Sequence, residues 1–235
     1  MAHILHKAAT RGHANHGWLN SHHTFSFAGY HDPERIRFGV LRVLNDDVVA
    51  PGMGFGQHPH DNMEIISIPL FGDLEHRDSM GNRTIIREND VQIMSAGTGV
   101  EHSEMNHNGD REVRFLQIWV FPDRRGLPPR YDQKTFEPTG RRDAFQCVVC
   151  PEGPGSGVHI RQQAWFHRLD LSAGNSLPYE LNRPGNGVYV FVLDGQVTAD
   201  GQFLERRDGL GITGEERFAL ATDAGCSLLL MELPV

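Results

Sequence analysis

Apolar residues recur along the chain in short runs: "RFGVLRVL", "MEIISIPLF", "DVQIM", "VRFLQIWVF", "QCVVC", "GVYVFVLDG" and "SLLLMEL". Clusters of Gly, Asp, Asn and Pro separate them at the spacing of sandwiches and jelly rolls. Only short pieces near "PERI" and "AWFHRLD" carry any helical period. The pattern predicts an all-β protein. One stretch breaks the rhythm: "FPDRRGLPPRYDQ", residues 121–133, is rich in Pro and Arg and reads as an extended connector. It divides the chain into an N-terminal domain, 1–125, and a C-terminal domain, 126–235.

The two parts follow one plan. From Glu64, "EIISIPLFGDLEHRDSMGNRTIIRENDVQIM" gives an apolar strand, a Gly-centred turn, a polar strand, an Asp and a second apolar strand. From Gly187, "GVYVFVLDGQVTADGQFLERRDGLGIT" repeats it, with Gly195 opposite Gly72 and Asp208 opposite Asp90. A duplicated β-sandwich is expected. The copies differ in chemistry, because His58 and His60 fall opposite Leu181 and Arg183. Likewise "GVEHSEMN" falls opposite "RFALATDA", which holds no histidine, so one copy keeps a site and the other only the scaffold.

Composition narrows the function classes. At 235 residues, with 39% hydrophobic and 22% charged, the chain is long enough to bury a large core. Net charge is −8 with both signs interspersed, which argues against a nucleic-acid footprint built on phosphate neutralisation. The opening "MAHILHKAATRGHANHGW" lacks an apolar leader core, and no run reaches membrane-spanning length. Three cysteines fit a reducing compartment, so a cytoplasmic protein is expected. Cys147 and Cys150 form a C-x-x-C, but strand alternation sends residues three apart to opposite faces. They read as small apolar strand residues.

Histidine is the anomaly, with 14 in all. His3, His6, His13, His16, His22 and His23 crowd the start and read as surface or supporting groups. In "GQHPHDNMEI", His58 and His60 are two apart, so on a strand they share a face at about 6.5 Å along the chain. Imidazoles so placed can converge on one ion at roughly 2.1 Å. His102 and Glu104 in "GTGVEHSEMN" form a second such pair. Both pairs pointing into one barrel gives three imidazoles and one carboxylate, a donor set suited to Fe(II), Cu, Ni, Co or Zn rather than Mg or Ca. Strand coiling can bring either Glu64 or Glu104 to the ion. Phe55, Met53, Met63, Met94 and Phe115 lie near these motifs and can line an apolar pocket, although core packing explains each singly.

These segments resemble the cupin motifs: G-x5-H-x-H-x3-E runs from Gly52 through His58 and His60 to Glu64, and "AGTGVEHSEMN" follows. Gly72 closes the first motif a residue late, and Ser95 stands where cupins often have Pro. With "RGHANHGWL", "HTFSFAGYHDP" and "EHRDSMGN", these departures are similar to the bacterial branch of the pirin family. The resemblance implies a bicupin of two tandem jelly-roll barrels. It implies a metal held in the N-terminal barrel by His58, His60, His102 and Glu104, with Glu64 a pocket group and either glutamate the catalytic base. The cofactor implied is one divalent transition ion, Fe(II) first, with Cu, Ni, Co, Mn or Zn also suited. The activity implied is flavonol (quercetin) 2,3-dioxygenation with O2 and release of carbon monoxide by a monomer. Nucleic acid and membrane are not expected partners. The alternative is a non-catalytic metalloprotein that regulates a protein partner, a transcription factor or metabolic enzyme.

Overall fold

A computed structural model describes residues 2–153 and 155–235, and its elements are strands with two short 3-10 turns. The all-β expectation holds. A seven-stranded antiparallel sheet runs Arg130–Thr135, Asp90–Ser95, Glu64–Phe71, Val113–Val120, Leu41–Val49, Leu19–His23 and Gly12–Asn15. Over it lies a four-stranded sheet, Gly54–His60, Val100–Asn106, Leu74–Asp78 and Arg83–Ile86. The C-terminal half is built on a ten-stranded sheet that includes Trp165–Leu171, Asn186–Ala199, Gly209–Thr213 and Cys226–Pro234. No described helix is long and apolar enough to cross a membrane.

Two strands cross the expected 125/126 boundary. Ala2–His6 pairs with Gly209–Thr213 of the C-terminal half, and Arg130–Thr135 pairs with Asp90–Ser95 of the N-terminal half. The end of the Pro- and Arg-rich connector is therefore ladder, and the halves interlock.

Duplication is visible in backbone detail. Gly72 and Gly195 both lie at positive φ, 73° and 75°, and a Cβ on either would strike a carbonyl of the neighbouring strand's lead-in, Glu112 O or Gly225 O. Asp90 and Asp208 close the same turn, each accepting from the backbone N–H three residues earlier, Arg87 at 2.8 Å and Glu205 at 3.0 Å.

Strand alternation assigns the cores. Ile66, Ile68, Leu116 and Ile118 from the outer face of the seven-stranded sheet join Phe166, Tyr189, Phe191 and Leu229 in one cluster between the halves. Leu169, Val190, Leu210, Leu228 and their neighbours fill the C-terminal interior. The N-terminal interior is different. Across its inner face, adjacent strands place His23 beside Asn45, Asn45 beside Gln117, Gln117 beside Ser67 and Ser67 beside Gln92. All five side chains are buried. A buried polar row costs stability unless something uses it.

Cys147 and Cys150 correct the alternation argument. A bulge between Cys147 and Val149 brings the two thiols alongside each other, and burial, with Cys150 beside it, pushes the Cys147 thiol up to about 12. Both remain free thiols.

Candidate metal centre

Two neighbouring strands of the four-stranded sheet carry the imidazoles. His58 and His60 sit on Gly54–His60, and His102 on Val100–Asn106 is paired directly with His58. One step further the register slips, so that Glu104 pairs with Phe55 and the Gly54–His60 strand carries an extra residue. Such a bulge twists a strand and re-aims its side chains. His58 Nδ1 lies 2.8 Å from Gly56 O and donates to it, which leaves its Nε2 as a free acceptor. Gly54 permits the close packing, since a Cβ there would stand 2.3 Å from Glu104 O.

The result is a triad of rings. Centroids lie 4.4 Å apart for His58 and His102, and 4.9 Å apart for each of the other two pairs. One ligand nitrogen from each falls within 4.8 Å of the others. His60 Nε2 and both nitrogens of His102 are buried without a hydrogen-bond partner. Burial, reinforced by the neighbouring imidazoles, lowers His60 to about 4 and His102 to about 3. At neutral pH these rings are uncharged and offer lone pairs, as a divalent transition ion requires. The donor set fits such an ion.

Glu104 joins an overlapping group with His102 and His76, all three buried. Its carboxylate is held by the polar row beneath it: Ser67 Oγ donates to Oε1 at 2.8 Å and Gln117 Nε2 donates to Oε2 at 2.6 Å. His76 was not singled out from the sequence. It pairs with Glu104 across the ladder, and Asp78 Oδ2 at 3.1 Å fixes its Nε2–H, leaving its buried Nδ1 unpartnered. An H-x-D two apart on one strand, as in "EHRD", was the available signal.

Glu64 requires a correction. It shares the outer face of its strand with Ile66 and Ile68, toward the C-terminal half. Its Oε2 accepts from Ser95 Oγ at 2.7 Å and from the Arg161 backbone N–H at 3.2 Å. Burial raises its pKa. It is a tie between the halves, on the wrong side of the sheet for a pocket base.

A cavity of about 550 Å³ opens beside Glu104. Phe27, Phe55, Trp119 and Leu19 give it apolar walls, and Asn45, Asp47 and Gln117 a polar one. Trp119 also packs edge-on against His60, with centroids 4.9 Å apart. Of the residues weighed as pocket walls, Phe55 lines the cavity. Met94 and Phe115 are buried in flanking clusters, Met63 packs beside Met94, and Met53 is exposed. The N-terminal histidines divide: His13, His16 and His23 reach the cavity, whereas His6 bonds the Tyr189 hydroxyl at 2.8 Å.

Comparison with known proteins gives the same picture at the level of sequence. The Pirin family matches residues 5–120, and the family described as "Quercetinase C-terminal cupin domain" matches 147–233. Quercetin 2,3-dioxygenase of Escherichia coli K12 is 40% identical over 230 residues, 98% of either chain. A pirin-like protein of Caulobacter vibrioides is 36% identical over 94% of this chain and 95% of its own. The crystal structure of the bacterial pirin YhhW from E. coli in complex with nickel(II) superposes with a TM-score of 0.93 at 39% identity, covering 99% of each chain.

Proposed function

This chain belongs to the pirin family, with its two-cupin fold, and we propose that it is a metal-dependent dioxygenase that cleaves flavonols such as quercetin at the 2,3-bond with O2, releasing carbon monoxide. The observation that carries this reading is the triad of imidazoles, His60 and His102 kept uncharged by burial, beside a roomy cavity with aromatic side chains and Glu104 in its walls. At about 550 Å³ the cavity has the size of an ordinary small-molecule site.

In this reading His58, His60, His102 and Glu104 hold the ion, with iron(II) our choice among divalent transition ions. Bound there, the ion supplies Lewis acidity that lowers the cost of ionising the flavonol 3-hydroxyl and offers open positions for ligands. Glu104 accepts the hydroxyl proton, and Ser67 and Gln117 keep its carboxylate aimed. Phe27, Phe55 and Trp119 clamp the flat rings and keep water out. Because Gln117 gives its amide N–H to Glu104, its Oε1 is left as a buried free acceptor for a substrate hydroxyl.

The test is direct. Protein purified without oxygen and reloaded with Fe(II), Ni(II), Co(II), Mn(II) or Cu(II) should bleach quercetin's long-wavelength absorbance in air, with O2 consumed and carbon monoxide released in equal amounts. Metal-loaded protein that leaves quercetin untouched with every ion would sink the proposal and favour a regulatory metalloprotein.

A further inference from the structure

We propose that a second cleft, between the two halves and sharing no wall residue with the metal-side cavity, binds a small oxyanion, a phosphate monoester with an apolar substituent. The cleft encloses about 430 Å³. Leu70, Phe71 and Arg114 come to it from the N-terminal half, and Arg168, Arg206 and Arg207, with the carboxylate of Asp194, from the C-terminal half.

Arg168 carries the argument. It lies on Trp165–Leu171, where Leu169 and Leu171 face the C-terminal interior, and so shares the face of Phe166 toward the other half. It is only 8% exposed. Its Nε is buried with no hydrogen-bond partner. Asp170, whose charge acts on Arg168, also accepts from Arg141 Nε at 2.8 Å and from Ser227 Oγ at 2.7 Å. Burial, with Arg141 nearby, pushes Arg168 down to about 10, which still leaves it cationic at neutral pH. An N–H buried without an acceptor is costly, and an anion in the cleft that accepts from Nε would remove that cost.

The other arginines have partners. Arg207 donates to Asp46 Oδ2 at 2.7 Å, Arg206 sits 3.3 Å from Asp194, and Arg114 Nε donates to Glu112 at 2.6 Å. Arg168 is thus the arginine of the cleft with a buried nitrogen left without an acceptor, while the other three can add donors at the rim. Planar guanidinium forks suit phosphate and carboxylate oxygens. The apolar preference comes from Phe71, which is 40% exposed and carries the Arg111 and Arg114 guanidinium groups 5.8 and 5.7 Å from its ring centre. Such a rim suits a ligand with an aromatic or alkyl tail.

The proposal is independent of the dioxygenase reading. Inorganic phosphate, phenyl phosphate and benzoate would be titrated calorimetrically into metal-loaded protein, with ionic strength held by sodium chloride. Phenyl phosphate should bind at least threefold more tightly than phosphate. Arg168→Met should weaken both at least tenfold, with metal content and quercetin turnover unchanged. Heats no larger than those of chloride, or wild-type affinity in Arg168→Met, would overturn the site. Tighter binding of benzoate than of phenyl phosphate would overturn the choice of phosphate. If Arg168→Met does not fold, Arg168→Lys, which keeps the charge but removes the Nε–H and the planar fork, carries the test, and wild-type phosphate affinity in it would equally overturn the site.

Discussion

Glu104 and Glu64 are both buried carboxylates, and what separates them is which face of a strand each occupies. Glu104 follows His102 by two residues and inherits its inward direction. Glu64 leads a strand whose even-numbered residues form the contact between the halves. The two should therefore fail differently when truncated. Glu104→Ala is expected to lower metal content at least tenfold and abolish flavonol turnover. Glu64→Ala should keep the ion but strand Ser95 Oγ and the Arg161 N–H, at a cost of about 1–3 kcal/mol. Elemental analysis and urea unfolding of the same two preparations separate these outcomes, and metal loss in Glu64→Ala with retention in Glu104→Ala would reverse the assignment.

At the scale of the element, the bulged Gly54–His60 strand does most of the aiming. Gly54 and Gly56 are two apart on it, yet a Cβ on Gly54 would meet Glu104 O at 2.3 Å while one on Gly56 meets nothing within 4 Å. Gly54→Ala is predicted to push apart the strands that carry His58 and His102, costing roughly 1–3 kcal/mol and weakening metal affinity. Gly56→Ala should be near neutral in both. Equal midpoints and equal metal content in the two variants would show that strand spacing does not set the site. Much of this element was legible in sequence, because H-x-H and H-x-E are local patterns and period-2 alternation places each pair on one face. Gly72 and Gly195 were legible for the same reason, since positive φ leaves a residue-type signature. The row His23, Asn45, Gln117, Ser67 and Gln92 was not. Its members come from five strands, and only inter-strand register makes them neighbours. The same holds for Cys147 and Cys150, where the alternation rule was applied to a strand that bulges.

Taken whole, the molecule spends its two similar halves differently: one interior is filled with Leu and Val, and the other keeps a cavity with aromatic walls on one side and buried polar groups on the other. That choice sets its response to acid. Burial holds His6, His23, His60 and His167 at about 4 and His102 at about 3. Unfolded, each would take up a proton near 6.5. The unfolded chain therefore binds more protons below that value, and stability must fall with pH. Asp47 and Glu64 act in the opposite sense, because burial raises Asp47 to about 7 and Glu64 upward, so their folded forms keep protons that the unfolded chain releases. With His22 also lowered by burial, six imidazoles against two carboxyls leave the imidazoles dominant. For chelator-treated protein, the urea midpoint should drop steadily from about pH 6.5 toward pH 4, the window between the two states' histidine values. Adding the metal should raise the midpoint at pH 7 and steepen the fall, because protons then compete with the ion for His60 and His102. A metal-free midpoint that stays level from pH 7 to pH 5 would mean that these rings are not held neutral by the fold.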